Sequence, residues 1–173
     1  ENTLLINAGG ERIVRYDGAS KTIKTVFEPE KRIQRMVAVS PSREKMLLLT
    51  RSGFSVVDLN TEKRVEAPRV LALPHWIDDE TILYSLDTAE SELRGIWHWK
   101  IGEEPHRITS KVFTVGRNEA RRGSAPVVTI GTTAYFLCDK NLWKLEADAE
   151  EGKQLTQDGG ISGPLRQLLP MPE

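Results

Sequence analysis

Residues 46–58 read MLLLTRSGFSVVD, a short apolar run and a second short run separated by a break that contains glycine. The same order of two runs recurs at 4–17, 81–100 and 134–146. Short runs rich in Val, Ile, Leu and aromatic residues, bounded by turn residues, are typical of β-strands. No stretch keeps apolar residues three and four apart over three helical turns, so the chain is predicted to be all-β.

The second run of each stretch shows that the chain is built from repeats. Four of its positions are equivalent, namely Tyr16, Val57, Trp99 and Leu145, and they lie 41, 42 and 46 residues apart. Repeats of about 40 to 45 residues with four strands each are typical of the blades of a β-propeller. The predicted units are approximately 1–31, 32–69, 70–110 and 111–158, and 159–173 is a closing strand or the first strand of a next blade.

Each unit is expected to contain four strands. The most apolar runs, expected to be buried on both faces, are 4–7, 46–50, 81–85 and 134–138. The strands that follow them are 13–17, 55–58, 96–100 and 142–146, and the outer strands are 23–27, 64–66, 106–109 and 153–156. A preceding strand is expected at 35–41, 70–73 and 125–130. The repeat at 1–31 has no preceding strand, and residues 161–169 would supply one if a single chain closes a ring.

A turn motif carries a resemblance to a known family. Residues 39–48, Val-Ser-Pro-Ser-Arg-Glu-Lys-Met-Leu-Leu, resemble the strand, Ser-Pro-Asp-Gly turn, Lys and strand of WD40-like and TolB-like β-propeller repeats, with Ser42 and Arg43 in the places of Asp and Gly. Residues 76–82 are a looser match, and 107–109 and 154–156 resemble the family's closing Arg/Gln-Leu-Thr. The resemblance covers nearly the whole chain and implies a β-propeller of about four four-stranded antiparallel blades.

Four blades would form either a small closed ring or part of a larger one. The chain begins with Glu1 rather than Met, and larger rings are commoner in this family, so we expect residues 1–173 to be a propeller fragment. An open β-sandwich with a similar number of strands is the alternative fold.

Composition and charge narrow the classes of partner. The 24 basic and 25 acidic residues give a net charge of -1, which predicts no nucleic-acid binding. No apolar run of about 18 residues occurs, which predicts no membrane insertion. The single Cys138 is expected to pack in the core and leaves the compartment open. TolB-like resemblance suggests the periplasm or cell envelope, WD40-like resemblance equally allows the cytoplasm, and the oligomeric state is open.

Residues that could carry chemistry do not assemble into a catalytic set. His75, His98 and His106 lack metal-ligand spacing and are expected at surface or edge positions. The acidic triplet 78–80 lacks the alternating ligands and glycine of a calcium loop, and 160–164 misses the nucleophile motif because Pro164 replaces its last glycine. We therefore predict no catalytic residue, no metal and no cofactor, so that the chain is not an enzyme.

The four tryptophans fall into two groups. Trp97, Trp99 and Trp143 alternate with polar neighbours and are expected to fill the space between sheets. Trp76 follows Pro74 and His75 in a turn-like stretch, where an exposed indole is more credible. Trp76 is therefore a candidate partner-binding residue, although burial of its ring is favoured even there.

Two long connections are the strongest pointer to a binding face. The propeller resemblance places the links between blades, and the links from second to third strand, on one face. The longest are Leu86 to Arg94 and Ser110 to Ser124, which should be neighbours. The candidate contact residues on the second are Arg117, Arg121 and Arg122. The alternative is mutual charge neutralisation with Asp87, Glu90 and Glu92.

Three functions follow from these expectations. The leading one is a non-catalytic scaffold that binds another protein or domain, within a larger chain or complex. The alternatives are an accessory propeller that gates substrate for a hydrolase of the prolyl-oligopeptidase type, and a glycan-binding propeller that uses exposed tryptophans.

Overall fold

A computed structural model describes residues 3–29, 33–50, 53–67, 72–114 and 127–157. Within these ranges every regular element is a β-strand. The strands are β1 Thr3–Ala8, β2 Arg12–Asp17, β3 Thr22–Phe27, β4 Ile33–Val39, β5 Lys45–Thr50, β6 Gly53–Asp58, β7 Arg64–Glu66, β8 Ala72–Trp76, β9 Thr81–Leu86, β10 Gly95–Lys100, β11 His106–Thr109, β12 Val127–Ile130, β13 Thr133–Cys138, β14 Asn141–Glu146 and β15 Lys153–Gln154. The described residues contain no helix that could span a membrane.

The strands form four antiparallel sheets in which neighbours along the chain are neighbours in space. We call them sheet I (β1-β2-β3), sheet II (β4-β5-β6-β7), sheet III (β8-β9-β10-β11) and sheet IV (β12-β13-β14-β15). Sheet I has three described strands, which agrees with the expectation that no strand precedes β1 in the repeat at 1–31. The predicted succession of four blades is confirmed.

The register shows that the repeat is structural and not only a spacing. Each middle strand, β2, β6, β10 and β14, has six residues, and the equivalent residue is the fifth in every case. This fifth residue pairs with the second residue of the preceding strand: Leu4 with Tyr16, Met46 with Val57, Ile82 with Trp99 and Ala134 with Leu145. Five residues of the inner and middle strands are at most 1% exposed, as predicted: Leu48, Val57, Tyr84, Trp99 and Phe136. The burial expected on both faces of 4–7 is wrong, because β1 lies at the edge of the described part of sheet I and its Leu4 and Ile6 are 58% and 43% exposed.

The chain divides into two compact units that are larger than the sequence repeats. We call Glu1–Val70 the first unit and Leu71–Glu173 the second unit. In the first unit, sheets I and II share an aliphatic core that includes Ile13, Met46, Leu48 and Val57. In the second unit, sheets III and IV share a core that includes Leu83, Ile96, Phe136 and Leu145. That residues 1–173 form one propeller domain, or a fragment of one, stays a prediction.

The turn between β4 and β5 contains no glycine and is shaped by a side-chain hydrogen bond. Ser42 occupies the usual Asp position of the family turn, and its hydroxyl accepts from the backbone N–H of Glu44 at 3.2 Å. Arg43, in the usual Gly position, has a left-handed φ of 65°. The turn at 39–48 therefore forms with Ser42 and Arg43 in place of Asp and Gly, and membership in the WD40-like or TolB-like repeats stays a prediction.

Several strands differ by a few residues from their predicted bounds, and the differences at β8 and β15 have a structural cause. β8 is described over Ala72–Trp76, so it ends three residues beyond its predicted end at residue 73, and its pairing with β9 is irregular between Ala72 and His75. Pro74 lies in this irregularity, on an edge strand of sheet III, where its missing N–H removes no regular ladder bond. β15 ends at Gln154 because the Thr156 hydroxyl, rather than a backbone carbonyl, accepts from Leu142 N–H at 3.0 Å. The tail strand at 161–169 lies outside the described residues.

Candidate functional site

Three connections of the second unit meet at a shallow cleft of about 440 Å³, which we call the link cleft. Arg94 ends the β9–β10 loop, residues 110–114 begin the link that follows β11, and Asp139 and Lys140 form the β13–β14 turn. The long connections Leu86 to Arg94 and Ser110 to Ser124 were predicted to be neighbours. Their described parts do meet here.

The β13–β14 turn presents its two charged residues through its backbone conformation. Asp139 and Lys140 have φ values of 51° and 60°, and they connect Cys138 directly to its pairing partner Asn141. Two consecutive left-handed residues are typical of the tight hairpin turn whose twist matches that of its strands. The turn is exposed, so its charged side chains reach solvent.

The link after β11 is anchored on sheet IV. Phe113 is 4% exposed and forms an isolated bridge with Cys138. Thr114 N–H donates to the Leu137 carbonyl at 2.9 Å, and the Thr114 hydroxyl accepts from Lys140 N–H at 3.0 Å. These contacts fix residues 113–114, so that Lys111 two residues earlier emerges from a defined point.

Arg107 anchors the β9–β10 loop. Its Nη1 donates to the carbonyl oxygens of Ser91 and Glu92 at 3.1 Å each, and to that of Arg94 at 3.4 Å. Gly95 follows with φ 151°, and a Cβ there would lie 2.2 Å from the Thr109 carbonyl oxygen. The loop therefore needs glycine at its exit, where it approaches β11 most closely.

Exposed ion pairs dominate the electrostatics of the link cleft. Lys111 Nζ lies 2.5 Å from Asp139 Oδ2, which raises the pKa of Lys111 and lowers the pKa of Asp139. Arg94 Nε lies 3.2 Å from Asp87 Oδ1. Exposed pairs of this kind contribute little to stability, and their partners exchange readily for those of another molecule. Asp87 is thus neutralised within its own loop.

The predicted contact residues have different outcomes. Arg117, Arg121 and Arg122 lie outside the described residues, and their role stays a prediction. The burial favoured for Trp76 agrees with the structure, because Trp76 ends β8, pairs with the fully buried Ile82 and is 6% exposed, so its ring offers little surface to a partner. The pattern missed Asp139 and Lys140, although a two-residue polar turn between apolar runs is the signal for such a hairpin.

The surface or edge position expected for the histidines is wrong for His98. Both faces of β10 are buried, so His98 is 4% exposed although it alternates with Trp97 and Trp99. His75 Nε2 lies 3.0 Å from the Thr129 hydroxyl, which itself donates to the Trp76 carbonyl. Because that hydroxyl proton is engaged, His75 donates to Thr129 and does not activate it as a nucleophile. Burial lowers the pKa of His75 to about 4.

Cys138 packs in the core of the second unit. It is fully buried, and burial raises the pKa of its thiol to about 12. A thiol with such a pKa stays protonated at neutral pH and is a poor nucleophile. The packing role predicted for Cys138 agrees with this position.

Two solved structures are similar to this chain. An oligogalacturonate lyase in complex with manganese has a TM-score of 0.58 and 13% identity, over 90% of this chain and 50% of that one. The N-terminal domain of Nup159 has a TM-score of 0.46 and 13% identity, over 89% and 45%. The chain thus spans about half the length of these proteins. No family model and no curated protein matches the sequence.

Likeness at such low identity shows the fold alone. The four antiparallel sheets and the first of these neighbours place the chain among β-propeller folds. The predicted fold class is confirmed.

Proposed function

We propose that this chain is a non-catalytic β-propeller module that binds another protein or domain through the link cleft and the segment that continues from it. The observation that carries the proposal is the meeting of three connections at one cleft, each anchored on the sheets at its base. A rigid base that presents exposed loop side chains is the usual arrangement for recognition.

The charges of the link cleft indicate the chemistry of the partner. Arg94, Lys111 and Lys140 line it against the single carboxylate of Asp139. The sequence continues with Arg117, Arg121 and Arg122, whose guanidinium groups make bidentate bonds to carboxylates and stack on aromatic rings. An acidic segment that also carries aromatic residues is the partner that fits best.

The other functions receive less support from the described residues. Trp76 and Trp99 are buried, so these two rings offer no open platform to a glycan. A lyase activity, as in the name of the first structural neighbour, rests on fold likeness alone. Gating of a hydrolase and membership in the WD40-like or TolB-like repeats stay predictions.

A charge-matched comparison tests the proposal. The variant R117A/R121A/R122A should capture less of the native partner from extract, while its melting temperature changes little because surface substitutions rarely alter stability. The matched control R12A/K24A/K63A removes three positive charges from exposed positions of the first unit and should capture the partner as the wild type does. Undiminished capture by the first variant, or equal loss in both, would contradict the proposal.

A further inference from the structure

A second cleft of the second unit, about 540 Å³, is formed by hairpin turns and not by the links between sheets. It lies between the β8–β9 and β10–β11 turns of sheet III and the β12–β13 and β14–β15 turns of sheet IV, and we call it the turn cleft. Its size is in the range of about 300 to 1,000 Å³ that is usual for small-ligand sites.

The turn cleft is strongly acidic. Five carboxylate residues line it: Asp78, Glu80, Glu103, Asp148 and Glu150. Among the described lining residues Lys100 is the one Lys or Arg, and its Nζ already pairs with Glu103 Oε1 at 2.8 Å. Such a concave, single-signed surface attracts cations.

A buried histidine at the same cleft points to a ligand with hydrogen-bond donors. His98 lines the turn cleft, is 4% exposed, and its Nε2 donates to the Ala147 carbonyl at 2.9 Å. Its Nδ1 has no hydrogen-bond partner among the described residues. A neutral imidazole carries one proton, so with that proton on Nε2 the Nδ1 atom is a free acceptor.

The environment keeps His98 neutral. Burial, the larger influence, lowers its pKa, and the hydrogen bond to Ala147 opposes this. The His106 ring packs against it, with the two centroids 4.5 Å apart. A buried acceptor without a donor costs free energy, which a bound N–H group would recover.

The arrangement differs from that of a metal site. In the part of the chain that the structure describes, no three His, Cys, Asp or Glu side chains are arranged to hold a metal ion. Five carboxylate residues and a buried imidazole that has one unpaired nitrogen line the cleft, and such a set fits an organic cation with N–H groups better than a metal ion.

We propose that the turn cleft binds an organic cation that carries N–H groups, either ammonium or guanidinium, with its charge among the rim carboxylates and one N–H donated to His98 Nδ1. This chemistry is shared by free polyamines and by Lys or Arg side chains of a peptide. The site uses none of the residues of the link cleft, so it does not depend on the proposed function.

Nuclear magnetic resonance of the ¹⁵N-labelled chain tests the hydrogen bond directly. The probes are spermidine, a capped peptide of glycine, arginine, lysine and glycine, and tetramethylammonium, which has charge but no N–H. Spermidine or the peptide should shift the His98 Nδ1 resonance and leave that of His75 unchanged, and the tighter of the two identifies the source. No shift with either, or an equal shift with tetramethylammonium, would overturn the proposal.

A charge-matched pair of variants tests the rim. D148N/E150Q removes two exposed carboxylates of the β14–β15 turn and should weaken binding of the tighter probe about tenfold. E28Q/E44Q makes the same change of net charge at exposed positions of the first unit and should bind within about twofold of the wild type. Equal weakening in both variants would show that only net charge matters and would overturn the site.

Discussion

The two compact units bury the same strand pattern with different side chains. The core shared by sheets I and II is aliphatic apart from Phe27 and Met46, and residues 1–70 contain no Trp or His. All four tryptophans and all three histidines lie in the second unit. The equivalent middle-strand position is Val57 in sheet II and Trp99 in sheet III, both buried.

This difference shows that the blade pattern determines which positions are buried but does not determine which residue types fill the core. A large amphipathic ring buried in place of an aliphatic chain brings polar atoms with it. Trp99 donates its indole N–H to the Glu103 carbonyl at 3.2 Å, and His98 binds the Ala147 carbonyl. The core of the second unit is therefore sensitive to truncation, crowding and pH in ways that the aliphatic core is not.

The largest expected effect comes from truncating the equivalent middle-strand residues. W99A should lower the free energy of unfolding by about 3 to 5 kcal/mol, as large aromatic deletions in cores do. V57A should cost about 2 kcal/mol because fewer methylene groups are lost. Urea unfolding followed by circular dichroism measures both, with I23A, at a 68% exposed position, as the neutral control. A cost below about 1 kcal/mol for W99A would show that the repeat register is wrong.

Acid should destabilise the second unit over a pH range that the aliphatic core does not share. The pKa of His75 falls from 6.5 to about 4 on folding, so the unfolded chain binds the proton first. Stability is complete above pH 6.5 and is lost as the pH falls towards 4, by up to about 3 kcal/mol. Tryptophan fluorescence, confined to the second unit, follows urea unfolding between pH 7 and 4.

The variant H75Q provides the control for this pH dependence. Glutamine keeps a hydrogen-bond donor near Thr129 but does not titrate, so the slope of stability against pH should flatten. An unchanged slope would mean that another group carries the effect.

The first unit differs because its hairpin-turn carboxylates Asp17 and Asp58 have pKa values lowered below 3.8 by backbone hydrogen bonds. Their stabilisation is therefore lost only at more acid pH.

Glycines at the start of two middle strands give a matched pair. Gly53 begins β6 with φ 125° and Gly95 begins β10 with φ 151°. A Cβ at Gly53 meets nothing within 4 Å, whereas at Gly95 it meets the Thr109 carbonyl oxygen. Both G53A and G95A incur backbone strain, and G95A should cost about 2 kcal/mol more because of crowding. Equal losses of stability in the two variants would contradict the close approach of β10 to β11 at Gly95.

The smallest effect is expected at the outer hairpin of sheet II. Asp58 Oδ1 accepts from the backbone N–H groups of Asn60 at 2.9 Å and Thr61 at 2.7 Å, and Glu62 follows with φ 62°. D58A should cost about 1 kcal/mol, and D58N, which keeps an acceptor oxygen, should cost less. Thermal unfolding measures the order of the two, and D58N at least as destabilised as D58A would contradict it.

The sequence predicts the strands well because their signal is local. Inner runs such as 81–85 are apolar on both faces, and the fifth-residue repeat is visible without any structure. Local signals failed where the neighbour comes from another sheet. The burial of His98 follows from the packing of sheet IV on β10, and no pattern within 96–100 contains that information.

The residues of the link cleft were predictable from the sequence in part. Loop length indicated Leu86 to Arg94 and Ser110 to Ser124, because long connections stand out in any repeat. The contribution of Asp139 and Lys140 depends on where a turn of sheet IV lies relative to a link that starts in sheet III. Trp76 was assigned to a turn-like stretch rather than to a strand because the pairing of β8 is irregular around Pro74, and such an irregularity is hard to distinguish from a turn by sequence alone.

Hydrogen exchange of the chain in complex with its captured partner tests the central claim, that the link cleft is the binding face. The account predicts protection of 86–94, 110–114 and 139–140 on binding, with little change in the turns at 78–80, 102–104 and 147–152. Protection of those turns, with none at the link cleft, would contradict it.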